Sequence, residues 1–224
     1  MDHLVVVQCR FQSIRLPGKA CYPFYTTSIL GFLLNRLERL PNNFHVVLAT
    51  SKNRSDDIIA HWGQSKSIDV VRGDELNVMS RYLDCLARYD CETVTRVTAD
   101  NPFTCPDLLS ESVDVLISEG LDYIYFMDCP MGVAADTFRR DTLISIGNLS
   151  LTIAESEHIN MFLLQNRGDY RVKLAGPRDS YSRLHSLTID TLDDWYKLAF
   201  LDLPNRWEST ISEIFSEMDS KTMG

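Results

Sequence analysis

The first twenty residues constrain the chain most. Leu4-Val5-Val6-Val7 is an apolar run without polar alternation, and three of its residues are β-branched. Such a run suits a strand buried on both faces. Three cations follow within ten positions, Arg10, Arg15 and Lys19, and Pro17-Gly18 turns the segment. A buried parallel strand that opens at its C-terminal end into a basic loop is where an open α/β sheet places a ligand. The loop charge selects an anion, phosphate before others: Arg offers a planar fork to its oxygens and Lys a mobile point charge. The loop has neither the G-x-x-x-x-G-K-[ST] pattern nor G-x-G-x-x-G, so it is not one of the two common glycine-rich phosphate cradles.

The rest of the chain supports the same fold class. Apolar residues at three- and four-residue spacing predict a helix over 29–40, closed by Pro41-Asn42-Asn43. A strand over 44–50 follows. Ser55-Asp56-Asp57 makes a helix start, because short oxygens cap free N–H groups and acids suit the N-terminal dipole. Strands over 68–71, 93–98 and 122–126 alternate with helices from 78 to 89 and from Pro106 to Gly120. This alternation predicts an α/β fold, with a mainly parallel central sheet and helices on both faces. Beyond 126 the pattern is less regular. Helices are expected near 141–148, 154–165, 191–201 and 208–218, and strands near 170–175 and 186–189.

The totals bound the function. A chain of 224 residues makes one substantial core and one domain. A net charge of −9 draws no nucleic acid through its overall field, so any phosphate site is local. No apolar run approaches the ~20 residues that span a bilayer, and the N-terminus carries no basic n-region. Six cysteines show neither C-x-x-C nor zinc spacing. They read as reduced thiols of a cytoplasmic protein.

Further candidates follow the strands. Asp100 comes directly after the 93–98 strand, at the same sheet edge as the Arg10 loop, and Asp190 ends the 186–189 segment. Two such carboxylates can hold a hard divalent cation, since magnesium commonly takes one or two carboxylates plus substrate phosphates. The alternatives are an Asp-Asn-Pro turn for Asp100 and a helix N-cap for Asp190. Arg72 and Arg81 flank a short loop and suit either nucleotide contact or ion pairs with Asp74, Glu75 or Asp84. Thr50 and Ser51 suit either a base or ribose contact or helix capping. Arg96, inside a strand, reads as a structural ion pair.

An ordered set of motifs adds a resemblance. Gln8-Cys9-Arg10-x-x-Ser13-x-Arg15-Leu16-Pro17-Gly18-Lys19 is similar to the Q-A-R-x-x-S-x-R-L-P-G-K signature of the SpsF-type spore-coat polysaccharide cytidylyltransferases. That family is related to the CMP-KDO and CMP-sialic acid synthetases. Ala49-Thr50-Ser51 with Asp56-Asp57, Arg72-Gly73-Asp74 with Val78, Arg81 and Tyr82, Arg96 to Pro102, and Leu187 to Thr191 with Asp193-Asp194 resemble the family's later motifs in order, over nearly the whole chain. Asn77 stands where the family tends to have Asp, and Ala99 where it has Gly. Pro130-x-Gly132 with Asp136-x-Phe138 resembles an acceptor-side motif with Asp for Glu. Glu157-His158 resembles another, with Ser156 and Asn160 in place of Arg and Thr.

The resemblance implies a Rossmann-like GT-A nucleotidyltransferase fold and a Mg2+-dependent transfer of CMP from CTP to an acidic sugar, with pyrophosphate leaving. It implies nucleotide contacts from Gln8, Cys9, Arg10, Ser13, Arg15, Lys19, Thr50, Ser51, Arg72 and Arg81. Arg10, Arg15, Lys19 and Asp100 would be catalytic, Asp100 and Asp190 the metal ligands, and Asp136, Glu157 and His158 acceptor contacts. Residues 1–126 would form the nucleotide half and 127–224 the acceptor and dimerisation half of a homodimer. A glycosyltransferase on the same fold, or a nucleotide-binding subunit without catalysis, are the alternatives. The basic loop speaks against the first and Asp100 with Asp190 against the second.

Overall fold

The computed structural model describes residues 2–177, 186–203 and 206–222. Strand β1 (His3–Gln8) lies in a seven-stranded sheet, and β2 (Pro23–Phe24) pairs with β3 (Thr27–Ser28) in a separate hairpin; the large sheet runs β5 (Asp69–Gly73), β4 (Phe44–Ser51), β1, β6 (Thr93–Thr98), β8 (Asp136–Arg139), β7 (Tyr123–Phe126), β9 (Val172–Ala175). Its neighbours β4 (Phe44–Ser51) and β6 (Thr93–Thr98) are both parallel to it, with Gln8 level with Ala49 on one side and Thr98 on the other. Strand β5 (Asp69–Gly73) extends the parallel set, with Thr50 level with Arg72. The central strand is buried on both faces, as the apolar run predicts. Leu4 and Val6 pack under α3 (Val78–Leu86), α5 (Arg140–Gly147) and α7 (Met161–Gln165). Val5 and Val7 pack under α1 (Ile29–Leu37), α2 (Asp57–Ser65) and α4 (Pro106–Ser118). A third apolar cluster joins α4 and β7 (Tyr123–Phe126) to α8 (Leu192–Ala199) and α9 (Ile211–Thr222). No described helix is long and apolar enough to cross a membrane.

The parallel set ends at β6. Strand β8 (Asp136–Arg139), which the sequence pattern does not reveal, lies between β6 and β7 and is antiparallel to both. Only Phe138 gives it an apolar inward residue. Its other buried positions are polar and satisfied: Thr137 Oγ1 pairs with Thr95 at 3.1 Å and Ser112 at 2.8 Å, and Asp136 is held by three donors described below. Strand β9 (Val172–Ala175) pairs parallel to β7 at the outer edge.

Three other expectations are corrected. Residues 186–189 form no sheet strand; Ser186 makes an isolated bridge to Met131, Leu187 N–H donates to Met131 O (2.8 Å) and Ile189 N–H to Asp100 O (2.9 Å). The segment satisfies its backbone against two loops instead of a ladder. The helix expected over 154–165 is two, α6 (Ile153–Glu157) and α7, because His158 leaves the helical region at φ −105°, ψ 81°. Ser55 and Asp56 do not cap α2: Asn53 caps the short 3-10 turn Arg54–Asp56 before it.

Candidate active site

The C-terminal ends of β1, β4, β5 and β6 share one edge of the sheet, so the loops after them converge. Between the β1 loop, the β6 loop and α6 lies a cavity of about 390 Å³. Its lining includes Gln8, Arg10, Ser13, Arg15, Lys19 and Asp100. Cys9, Glu157, His158 and Asp190 complete the set of sequence candidates there.

The basic loop is built to hold its shape. Gly18 takes φ +72°, a conformation open to glycine, and a Cβ there would meet the Phe11 ring at 3.0 Å. Its N–H donates to Phe11 O at 2.7 Å, closing the loop on itself. The loop is tied to the sheet by Asp56. That buried carboxylate accepts from Phe11 N–H at 2.7 Å through Oδ1, and from Ser51 N–H (3.1 Å) and the Ser51 hydroxyl through Oδ2. Asp56, read from sequence as a helix start, is therefore the anchor of the residue next to Arg10. The hint was its place in the Ala49-Thr50-Ser51 motif.

The loop cations meet carboxylates. Lys19 Nζ lies 2.7 Å from Asp100 Oδ2 and 2.9 Å from Asp190 Oδ1, and Arg15 Nη2 lies 2.8 Å from Asp190 Oδ2. Asp100 and Asp190, ninety residues apart in sequence, thus face the same point. Arg10 bridges outward, donating to Glu75 O at 3.0 Å and standing 3.7 Å from Glu157. Burial lifts the Cys9 thiol well above its ordinary range, reinforced by Cys21, Asp56 and Asp100, so it is a neutral wall of the cavity.

Four candidates lie at the same edge but outside this lining. Ser51 is committed to Asp56, and Thr50 Oγ1 is buried without a partner. Arg72 donates to Ser51 O and Asn53 O at 2.8 and 2.9 Å and pairs with Asp57 at 2.7 Å, rather than with Asp74, Glu75 or Asp84. Arg81 is fully buried and donates to the carbonyls of Asp74 (2.6 Å) and Glu75 (3.0 Å). Burial, with Arg10 nearby, lowers its pKa.

Beside the cavity runs a buried polar network. Arg96 Nη1 donates to Asp136 Oδ2 at 3.1 Å and its Nε to Gln8 at 3.3 Å. Tyr123 OH (2.5 Å) and Asn160 Nδ2 (2.9 Å) both donate to Asp136 Oδ1. Asp136 therefore lines a smaller cavity of about 170 Å³ that shares Arg96 and Thr98 with the larger one. Asn160, a departure from the resembled motif, supplies one of these bonds.

The carboxylate pair could hold a hard divalent cation. Asp100 and Asp190 offer hard oxygens at one point, and the described residues contain no group of three or more His, Cys, Asp or Glu that could hold a metal ion. A pair of carboxylates is a small protein share, which fits an ion that fills its shell with water and substrate phosphates.

Comparison with known proteins identifies the family and the fold. A family model described as cytidylyltransferase matches residues 4–192. The spore coat polysaccharide biosynthesis protein SpsF of Bacillus subtilis (strain 168) is 29% identical over 206 residues, 89% of this chain and 86% of that protein. A cytidylyltransferase structure from Leptospira borgpetersenii serovar Hardjo-bovis has a TM-score of 0.90 at 25% identity, covering 100% of this chain and 96% of the other. A CMP:2-keto-3-deoxy-manno-octonic acid synthetase, solved with CTP, shares the fold at a TM-score of 0.65 and 13% identity, covering 89% and 97% of the two chains.

Proposed function

Because the chain belongs to the cytidylyltransferase family, whose members are nucleotidyltransferases, we propose that it transfers CMP from CTP to a hydroxyl of an acidic sugar and releases pyrophosphate. The setting would be the synthesis of surface polysaccharide or glycan precursors. The observation that carries this reading is the convergence of Arg10, Arg15 and Lys19 with Asp100 and Asp190 on one cavity at the strand ends. Three cations on one loop give a triphosphate and its pyrophosphate leaving group more to bind than a nucleotide sugar needs.

In this reading the acceptor hydroxyl attacks the α-phosphorus in line and gives up its proton to solvent, the bond to the β-phosphate breaks, and pyrophosphate departs with the electron pair. Arg10, Arg15 and Lys19 hold phosphate oxygens and stabilise the charge that grows on the leaving group. The gain comes from positioning and electrostatics in a site already ordered by Gly18 and Asp56. Gln8, Cys9 and Ser13 line the nucleotide's path; Thr50, Ser51, Arg72 and Arg81 shape the loops behind it. Asp136, Glu157 and His158 stand on the acceptor side. Asp100 and Asp190 would hold Mg2+, which when bound neutralises the triphosphate and stabilises charge on the reacting phosphoryl group. The chain would work as a single nucleotidyltransferase domain and a cytoplasmic homodimer.

The test is pyrophosphate release from each of the four nucleoside triphosphates against a panel of sugar acids. CTP with at least one sugar acid should turn over. Turnover with another triphosphate but not CTP, or consumption of a nucleotide sugar instead, would refute the proposal.

A further inference from the structure

Lys19 has no donor to spare for a phosphate. An ammonium has three N–H groups, and all three are taken: by Asp100 Oδ2 at 2.7 Å, Asp190 Oδ1 at 2.9 Å and Ile189 O at 3.0 Å. The second oxygen of Asp190 is taken by Arg15 at 2.8 Å. The ammonium therefore stands between the two carboxylates, where a divalent ion bound to them would stand. Ion and ammonium cannot share the place: magnesium binds carboxylate oxygen at about 2.0–2.1 Å, and two cations within a few ångströms of each other repel. Conversely, a phosphate that recruits Lys19 or Arg15 must draw it off a carboxylate.

We propose that Lys19 is the resident counter-cation of the metal site. It holds Asp100 and Asp190 together while nucleotide is absent, keeps divalent ions out, and moves to the phosphates when nucleotide enters. Ion and nucleotide then load together, and the free enzyme does not collect metal first. Without Lys19 only Arg15 would be left to balance the two carboxylates, and Asp100 would face the cavity open to a divalent ion. Lys19 is thus a positioning residue for the carboxylates as well as a phosphate ligand. The inference rests on reading this cavity as a nucleotide and metal site.

The probe is manganous ion alone, added to the full chain without nucleotide, with free Mn2+ counted by electron paramagnetic resonance. Wild type should bind Mn2+ no better than Asp100→Asn. Lys19→Gln and Lys19→Met should each bind it at least tenfold more tightly than wild type, and adding Asp100→Asn to Lys19→Met should abolish that gain. A wild-type chain that binds an Mn2+ ion which Asp100→Asn loses overturns the proposal, and this arm needs no Lys19 variant to fold. So does a Lys19→Met chain, folded by circular dichroism, with wild-type Mn2+ affinity. Failure of the enzymatic reading would show separately, as absence of CTP turnover in wild type.

Discussion

Replacing Asp136 with Asn tests the polar network beside the cavity. The side chains of Arg96 and Asp136 are only 16% and 11% exposed, so their ion pair has little solvent to fall back on. All three partners of Asp136 are donors: Arg96, Tyr123 and Asn160. An Asn must turn its own NH2 towards one side of that ring of donors, and it removes the charge that balances the guanidinium. Breaking a buried pair from one side costs about 3–5 kcal/mol. In a chain of this size each kcal/mol lowers Tm by roughly 2–4 °C, which gives a fall of about 6–20 °C. Removing both charges with Arg96→Met and Asp136→Leu together should recover only the part of that loss that comes from the unpaired charge, because Tyr123 and Asn160 still lose their acceptor. The assay is thermal melting by circular dichroism at neutral pH for wild type, both single variants and the double. An Asp136→Asn melt within about 2 °C of wild type would refute the reasoning.

Asp56→Asn should release the basic loop from the sheet. It weakens charge-assisted hydrogen bonds to Phe11 and Ser51, each worth about 1.5–3 kcal/mol, so the KM for CTP should rise at least tenfold in steady-state kinetics. Stability should also fall with acid through His3. That ring is buried against Thr93 at 3.0 Å, and burial lowers its pKa below the usual 6.5. Below pH ~6.5 the unfolded chain binds the proton first, so stability is full above that pH and declines as pH drops towards the folded value. The urea midpoint of wild type should drop between pH 7.5 and 5.5, and His3→Gln should drop less.

The residues that were legible in the sequence were those whose local pattern equals their environment. Leu4–Val7 is buried on both faces, and its pattern says so. The strand ends then place Arg10, Thr50, Arg72 and Asp100 at one edge without further information. Strand β8 was hidden because its burial is bought by long-range polar contacts, Thr137 with Thr95 and Ser112, and Asp136 with Arg96. Residues 186–189 have the composition of a strand but spend their N–H groups on the loops at Met131 and Asp100. That docking is what brings Asp190 to Lys19, and no local periodicity encodes it. Asp56 does stand at the start of α2, as its acidic side chain suggests, but its carboxylate goes to Phe11, 45 residues away, which no local pattern encodes.

The central claim is that Asp100 and Asp190 serve the chemistry, whereas a structural role would leave them only as ion-pair partners of Lys19 and Arg15. Asn keeps their shape and most of their hydrogen bonding but not their charge, so a role confined to these ion pairs would lower stability and leave the chemistry in place. The decisive measurement is CTP-dependent pyrophosphate release by Asp100→Asn and Asp190→Asn at limiting magnesium, with thermal melts of the same samples. The account predicts cooperative melts somewhat below wild type, because Lys19 loses one carboxylate partner in each variant, and no turnover in either. Near-wild-type turnover in either one would contradict it.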